Sequence, residues 1–378
     1  MKILIVVPSL TRAGAETQAV DLANGLAANG HIVHLCSFEP QLDQRDRLSS
    51  NVHFHHARRT GKYDSTFIST IIGVIDREKI DVVQGILLFA VLVAWLSAKR
   101  SARKPPVIAG VHTTINRGLK QEWQDRLLYR RLLRRLPAVL FVCNYQRDHW
   151  IGKFPELGPL ARVVHNGIDV TRFQRESLLN PAQKLRAELG IPGSAFVFSC
   201  IAGLRPEKGH RLLIPAFARL PANTYLVLAG EGLERPAIEA IVREYGVSDR
   251  VRFLGKVSDV RPLIVASDAT VLASTAVETF SIAMLESMAL GVPLIASRIG
   301  GLPEAIIQRE TGLLVPIGDV DALAAGMNYM VESTAEVRRM GQAAAQLIRS
   351  AFTLEKMIDG YERVLQEVVS MWRTSIMA

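Results

Sequence analysis

Residues 274–305 read STAVETFSIAMLESMALGVPLIASRIGGLPEA. A polar loop rich in Ser and Thr carries Glu278, and a helical run from near Phe280 to Gly291 carries Glu286. A Gly291-Val292-Pro293 turn then leads into the apolar strand PLIAS, and Gly300-Gly301-Leu302-Pro303-Glu304 opens a further helix. A loop that meets a helix N-terminus presents unpaired N–H groups and the positive end of the helix dipole, which together receive phosphate groups. The two carboxylates are eight positions apart, or about 12 Å if the whole interval is helical. That separation suits two different parts of one ligand. The spacing alone is not distinctive, because Glu231 and Glu239 share it.

Outward from this stretch, apolar strands alternate with amphipathic helices along the whole chain. In the first half strands are expected at Ile3–Val7, His31–Ser37, Val52–His55, Asp81–Gln84, Pro106–Val111, Val139–Val142 and Arg162–His165. In the second they are expected at Phe196–Ile201, Tyr225–Ala229, Val251–Leu254, Ala269–Leu272, Pro293–Ala296 and Gly312–Val315. Repetition of strand, helix and strand at this spacing predicts α/β architecture, with parallel sheets doubly wound by helices. A chain of 378 residues holds two such domains, each with its own core. The junction is expected within 166–192, where Asn166-Gly167, Pro181 and Pro192-Gly193 punctuate a polar stretch. A last helix is expected from about Thr353 to Trp372.

The longest apolar run, Ile86 to Ala98, has 13 residues, too few to span a bilayer, and reads as a buried helix. Met1 to Leu10 reads as a buried first strand in preference to a signal peptide. Cys36, Cys143 and Cys200 are widely separated and form no CxxC, which predicts reduced, buried thiols, a cytoplasmic setting and no disulfide framework or metal site. The net charge of +9 is concentrated: residues 99–135 hold eleven Lys or Arg and two acids, and the remainder balances at 34 of each. Within that window residues 122–136 read EWQDRLLYRRLLRRL. A helix there would set Leu128, Leu132 and Leu136 among Arg126, Arg130, Arg131, Arg134 and Arg135, a pattern suited either to an anionic lipid surface or to a core helix with a solvated basic face. No nucleic-acid motif accompanies the charge, so no nucleic-acid partner is expected.

The 274–305 segment resembles the E-x7-E signature of family 4 retaining glycosyltransferases, the group 1 transferases of GT-B fold. The likeness runs along the chain: PSLTRAGAETQAVDLANGLAANGHIVHL from Pro8, VVHNGIDVTRF at 163–173, LRPEKGH at 204–210, LVLAGEG at 226–232 and TGLLVPIGDVDAL at 311–323. It implies two Rossmann-like domains facing across a cleft. These are an acceptor-side domain at 1–170, with a C-terminal helix at 355–378 packing back on it, and a nucleotide-sugar-binding domain at 171–354. Ligands of doubly wound sheets bind beyond the carboxyl ends of the strands, so the site is expected in that cleft.

On the second domain the resemblance assigns Arg205 and Lys208 to the leaving diphosphate. The usual family Arg lies five residues before Lys, where this chain has Gly203 or, in another register, Leu204; Arg205 is three residues before Lys208. Glu286 is implied to accept the ribose hydroxyls and Glu278 to hold those of the donor sugar. The backbone N–H groups of Phe280, Ser281 and Ile282 would meet the phosphates, and Lys256 would border the base. On the first domain Gly14 permits close backbone approach. The order Arg12-Ala13-Gly14-Ala15-Glu16 lacks the GxGxxG of nicotinamide-binding folds, and Glu16 is expected to cap the helix that follows. His112 resembles the family His directed at the donor sugar. Asn166 and Asp169 match its NGID segment and are expected to shape the hinge.

The implied activity is transfer of a hexose from a nucleoside-diphosphate sugar, UDP-glucose by default, to a saccharide or lipid-linked acceptor in bacterial surface polysaccharide synthesis. It is expected with retention, on the cytoplasmic face of the inner membrane, and without cofactor or metal, since Asp319-Val320-Asp321 begins a distal helix. Two alternatives stay open: a GT-B epimerase or hydrolase of nucleotide sugars, and a non-catalytic polysaccharide- or membrane-binding module. The residues also leave the base open among uracil, guanine and adenine.

Overall fold

A computed structural model of the chain describes residues 1–61, 64–112, 119–276 and 278–377. The chain divides into two compact units, Met1–Gly167 with Leu354–Ala378, and Ile168–Thr353. The first holds β1 (Lys2–Val7), β2 (Ile32–Ser37), β3 (Val52–His56), β4 (Val82–Ile86), β5 (Val107–Val111), β6 (Ala138–Phe141) and β7 (Ala161–Val163). These pair in parallel in the order β3-β2-β1-β4-β5-β6-β7. The second holds β8 (Phe196–Ile201), β9 (Thr224–Ala229), β10 (Val251–Gly255), β11 (Ala269–Leu272), β12 (Leu294–Ser297) and β13 (Gly312–Val315). They too are parallel, in the order β10-β9-β8-β11-β12-β13. Every strand expected from the sequence is present, with ends shifted by at most two residues.

The strands are apolar throughout because both faces of each sheet are covered. Along β1, Leu4 and Val6 join one core, with Ile71, Val91 and Phe141, while Ile3, Ile5 and Val7 join the core on the other face. Alternate side chains point to opposite faces, so a single strand feeds both. The second core is completed by the helix Leu354–Met377, which contributes Met357, Ile358, Tyr361, Val364, Leu365, Val368 and Val369. It lies close to the helix Gly14–Ala28: a Cβ on Gly25 would overlap the Ile358 side chain.

Three elements depart from expectation. The apolar run at Ile86–Ala98 is not one helix: Ile86 ends β4, Leu87 turns the chain with φ +73°, and the helix is Leu88–Arg100. The helix expected from Phe280 to Gly291 is only Ile282–Ala289. The basic segment is helical but carries a π-turn at Asp125–Tyr129 between Leu119–Gln124 and Arg130–Leu133. The wider turn shifts its faces. Leu132 and Leu136 therefore enter the core at 3% exposure each, while Leu128 is 41% exposed.

Each sheet order reverses direction once, between β1 and β4 and between β8 and β11. At such a switch point the loops leaving two adjacent strands turn to opposite faces of the sheet and open a crevice at the carboxyl ends.

Candidate active site

In the second unit the switch point joins the loop after β8 to the loop after β11. The first loop runs into a short turn of 3₁₀ helix, Pro206–Lys208, and then Gly209 at φ +69° starts the helix His210–Ala218. A Cβ at Gly209 would stand 1.9 Å from the Ala273 carbonyl oxygen, so only glycine lets this loop press against the end of β11. Gly300, at φ +59°, brings the loop after β12 equally close: a Cβ there would be 1.8 Å from the Glu278 carbonyl oxygen. Two backbone hydrogen bonds tie the three loops together, from Thr275 N–H to Glu207 O at 2.9 Å and from Gly301 N–H to Thr279 O at 2.8 Å.

This arrangement brings Lys208 and Glu278, seventy residues apart, into an ion pair through Nζ and Oε1. The same Glu278 oxygen accepts the Ser274 hydroxyl at 2.7 Å. Ser274 and Glu278 are buried. A hydrogen bond to a charged group contributes about 1.5–3 kcal/mol, but burying two ions costs several kcal/mol each, so a hydrophobic pair would serve stability as well. Behind Lys208, His210 is buried with Nε2 3.6 Å from Cys200 Sγ, and burial pushes its imidazole down to about 4. Burial likewise pushes the Cys200 thiol up to about 12, which keeps it protonated and inert.

The other residues singled out from the sequence in this unit have other partners. Arg205 does not join the pair: its side chain is 48% exposed, with Nε 3.4 Å from Glu207 Oε1. Ser281 caps the helix Ile282–Ala289, accepting the Met284 N–H at 3.3 Å. Phe280 is buried against Phe352, ring centroids 4.9 Å apart. Glu286 is the fifth residue of that eight-residue helix, so the interval from Glu278 is only partly helical and the 12 Å helical rise does not apply. It is half-buried, and its charge helps hold the Arg261 guanidinium above the ordinary arginine range, after the larger effect of Asp259. Lys256 is exposed and follows β10, the edge strand, with β9 between it and β8. Asp169 caps a short turn through Thr171 N–H at 3.0 Å. Ser274 in its Ser/Thr loop, and Gly209 and His210 at the end of LRPEKGH, have no individual role in the sequence reading; the Lys-Gly step before an apolar helix is the available signal for Gly209.

In the first unit, Gly14 is exposed and begins the helix Gly14–Ala28, preceded by Ala13 in extended conformation. Glu16 is buried in the first turn of that helix, and the Ser9 hydroxyl lies 3.3 Å from its carboxyl. Burial raises its carboxyl above the ordinary range, opposed by bonds from its own N–H, Thr11 and Ser9. His112 directly follows β5. Its Nε2 is buried without a hydrogen-bond partner among the described residues, and burial pushes the ring down to about 4, so it is neutral at pH 7. Among the described residues no group of three or more His, Cys, Asp or Glu side chains is arranged to hold a metal ion. Among the described residues no helix is long and apolar enough to cross a membrane.

Comparison with known proteins adds three findings. The family model described as Glycosyltransferase Family 4 matches residues 12–172, and that described as Glycosyl transferases group 1 matches 181–347. The N-acetyl-alpha-D-glucosaminyl L-malate synthase of Bacillus anthracis is 26% identical over 370 residues, 94% of each chain. The lipopolysaccharide core biosynthesis glycosyltransferase LpsE of Rhizobium meliloti is 34% identical over 180 residues, 48% of this chain and 52% of that one. Among solved structures, Anabaena HepE in complex with UDP and glucose superposes with a TM-score of 0.85 at 21% identity, covering 97% of this chain and all of that one, a likeness of fold.

Proposed function

This chain belongs to the group 1 glycosyltransferases, enzymes that use nucleotide sugars, and from that premise we propose that it transfers a hexose from UDP-glucose, with retention at the anomeric carbon, to a saccharide or lipid-linked acceptor of a bacterial surface polysaccharide. The observation that carries the assignment of the donor end is the Lys208–Glu278–Ser274 cluster, held at the switch point by Gly209 and Gly300. There the Lys208 ammonium neutralises the diphosphate, increasingly as the bond from the anomeric carbon to the β-phosphate oxygen breaks and negative charge gathers on the leaving oxygen. Glu278 accepts hydroxyls of the donor sugar, and Glu286 those of the ribose. The helix Ile282–Ala289 directs its first N–H groups at the phosphates, with Phe280, Ser281 and Ile282 fixing its entry. Arg205, more loosely held, assists the diphosphate, and Lys256 borders the base.

On the first unit we assign His112 and Gly14 to the donor sugar. A neutral His112 Nε2 hydrogen-bonds a sugar hydroxyl, and Gly14 allows close backbone approach. The acceptor oxygen forms its bond on the face the phosphate leaves, and its proton passes to a departing phosphate oxygen. The chemistry then needs position and charge more than a protein base, and we propose that it runs without metal.

Contact with an anionic membrane surface is supported by a different set of side chains from the stripe read in the sequence. Trp123 is 61% exposed and Leu127 54%, beside exposed Arg131, Arg134 and Arg135. Arg126 and Arg130 are held by Glu122 and Glu156 at 3.0 and 2.5 Å.

The test is nucleotide release by purified protein across UDP-, GDP- and ADP-sugars, with and without lipid-linked oligosaccharide and anionic vesicles, repeated with a chelator. Release from UDP-glucose that rises with the acceptor and withstands the chelator is the expected result. Free sugar formed at the same rate without acceptor would replace transfer by hydrolysis.

A further inference from the structure

We propose that a cavity in the second unit, at the end of the sheet opposite Lys208 and Glu278, is a binding site for a small phosphorylated molecule. It encloses about 570 Å³, within the roughly 300–1,000 Å³ range of small-molecule sites. Phe196 opens β8, Asp268 immediately precedes β11, and Gly291 to Pro293 precede β12, so this wall is made at the amino ends of the strands. The donor loops leave the carboxyl ends. The two sites therefore share one rigid sheet without sharing a residue.

The opposite wall is the helix Thr334–Ala351. Arg338 and Arg349 lie eleven positions apart on it, which is three turns and about 20°, so they share one face with Gln342 between them. Both are exposed and have no ion pair among the described residues. The helix and the turn meet backbone to backbone: a Cβ at Gly341 would stand 2.1 Å from the Gly291 carbonyl oxygen. That close approach fixes the distance from the two guanidiniums to the strand ends.

Between the walls is a third cation. Arg175 is half-buried and donates Nη1 to the Leu290 carbonyl at 3.0 Å. Burial draws its guanidinium below the ordinary arginine range, against smaller opposing effects of Asp268 and Glu176. Asp268 is already engaged elsewhere: Oδ2 accepts Arg186 Nη2 and Val197 N–H, each at 2.8 Å. Asp268 and Glu176 are thus the two acids of the lining against three guanidiniums, and an oxygen of Asp268 is already taken by Arg186. Guanidinium forks match phosphate oxygens in pairs, so a phosphate monoester or diphosphate completes the charge and the hydrogen bonding together.

Calorimetric titration of the full chain with a hexose phosphate and with inorganic pyrophosphate tests this, the two probes separating a sugar-bearing ligand from a bare phosphate. Saturable binding of either is expected, weakened at least tenfold by Arg338→Glu with Arg349→Glu. A saturable component should persist in Lys208→Ala, which removes only the phosphate binding of the donor loops. A control pair of exposed helical residues outside the lining, Arg100→Glu in the first unit with Arg243→Glu, should leave binding unchanged. Absence of saturable binding at millimolar probe, equal weakening by the control pair, or loss in Lys208→Ala with retention in the Arg338, Arg349 pair would each overturn the proposal. Both pairs replace exposed side chains, so unchanged circular dichroism is expected alongside.

Discussion

The two sheets reverse strand order in the same way, yet their switch points are furnished differently. In the second unit three loops touch through glycine, share backbone hydrogen bonds, and close a buried ion pair with a hydroxyl attached. In the first, the loop after β1 is exposed at Gly14, and one strand beyond the switch point the carboxyl end of β5 leads to one neutral ring, His112. On the proposed reading the contrast separates two tasks. Charge that must meet a diphosphate is set rigidly before binding, because reorganising dipoles during reaction is costly. A sugar hydroxyl needs only a hydrogen bond from a group whose charge state does not wander.

The sharpest way to break this comparison is Lys208→Ala. Turnover should fall at least about 100-fold, and the loss of the partner of buried Glu278 should cost about 3–5 kcal/mol of stability, read by steady-state kinetics and urea unfolding. A wild-type rate would remove Lys208 from the site. His112→Ala should be milder, about 10-fold in kcat with KM little changed, as expected for one hydrogen bond strengthened in the transition state; a change confined to KM would recast it as a ground-state contact. Arg205→Ala should lower kcat/KM by less than about 10-fold, because a half-exposed cation is screened by solvent. If it matched Lys208→Ala, the loop would have to reorganise on binding. A further test is in pH. His34, His112 and His210 are each pushed down to about 4 from 6.5, chiefly by burial. The unfolded chain therefore takes up protons first on acidification, so stability is flat above about pH 6.5 and falls as pH drops toward 4. Urea midpoints across that range test it, and His210→Gln should flatten the slope.

What was legible in the sequence followed from local pattern. All thirteen strands were visible because strands buried on both faces are short apolar runs with polar breaks. Ile86–Ala98 misled for the same reason: a strand ending and a helix beginning are both apolar, and only the φ of Leu87 divides them. The basic segment misled through its π-turn, which no periodicity in the sequence announces, so the leucines expected together are split between core and surface. Lys208, Glu278 and Glu286 stood out as candidates by resemblance. Their mutual geometry did not, since the pairing of Lys208 with Glu278 depends on β8 lying beside β11, a fact of strand order across seventy residues. Ser274 was hidden likewise, being one hydroxyl in a loop full of them.

The helix Leu354–Met377 gives the chain a timetable. The first unit is begun by residues made before Ile168–Thr353, but seven of its core side chains arrive only after that stretch has been made. At about 5–20 residues per second, that interval is roughly 10–40 s. During it the second unit, contiguous in sequence, can fold to completion, while the core face shared by the helix Gly14–Ala28 and β4 waits for the rest of its cover. The half synthesised first is thus the half finished last, and a nascent chain stalled before Leu354 would expose that apolar face to chaperones and proteases.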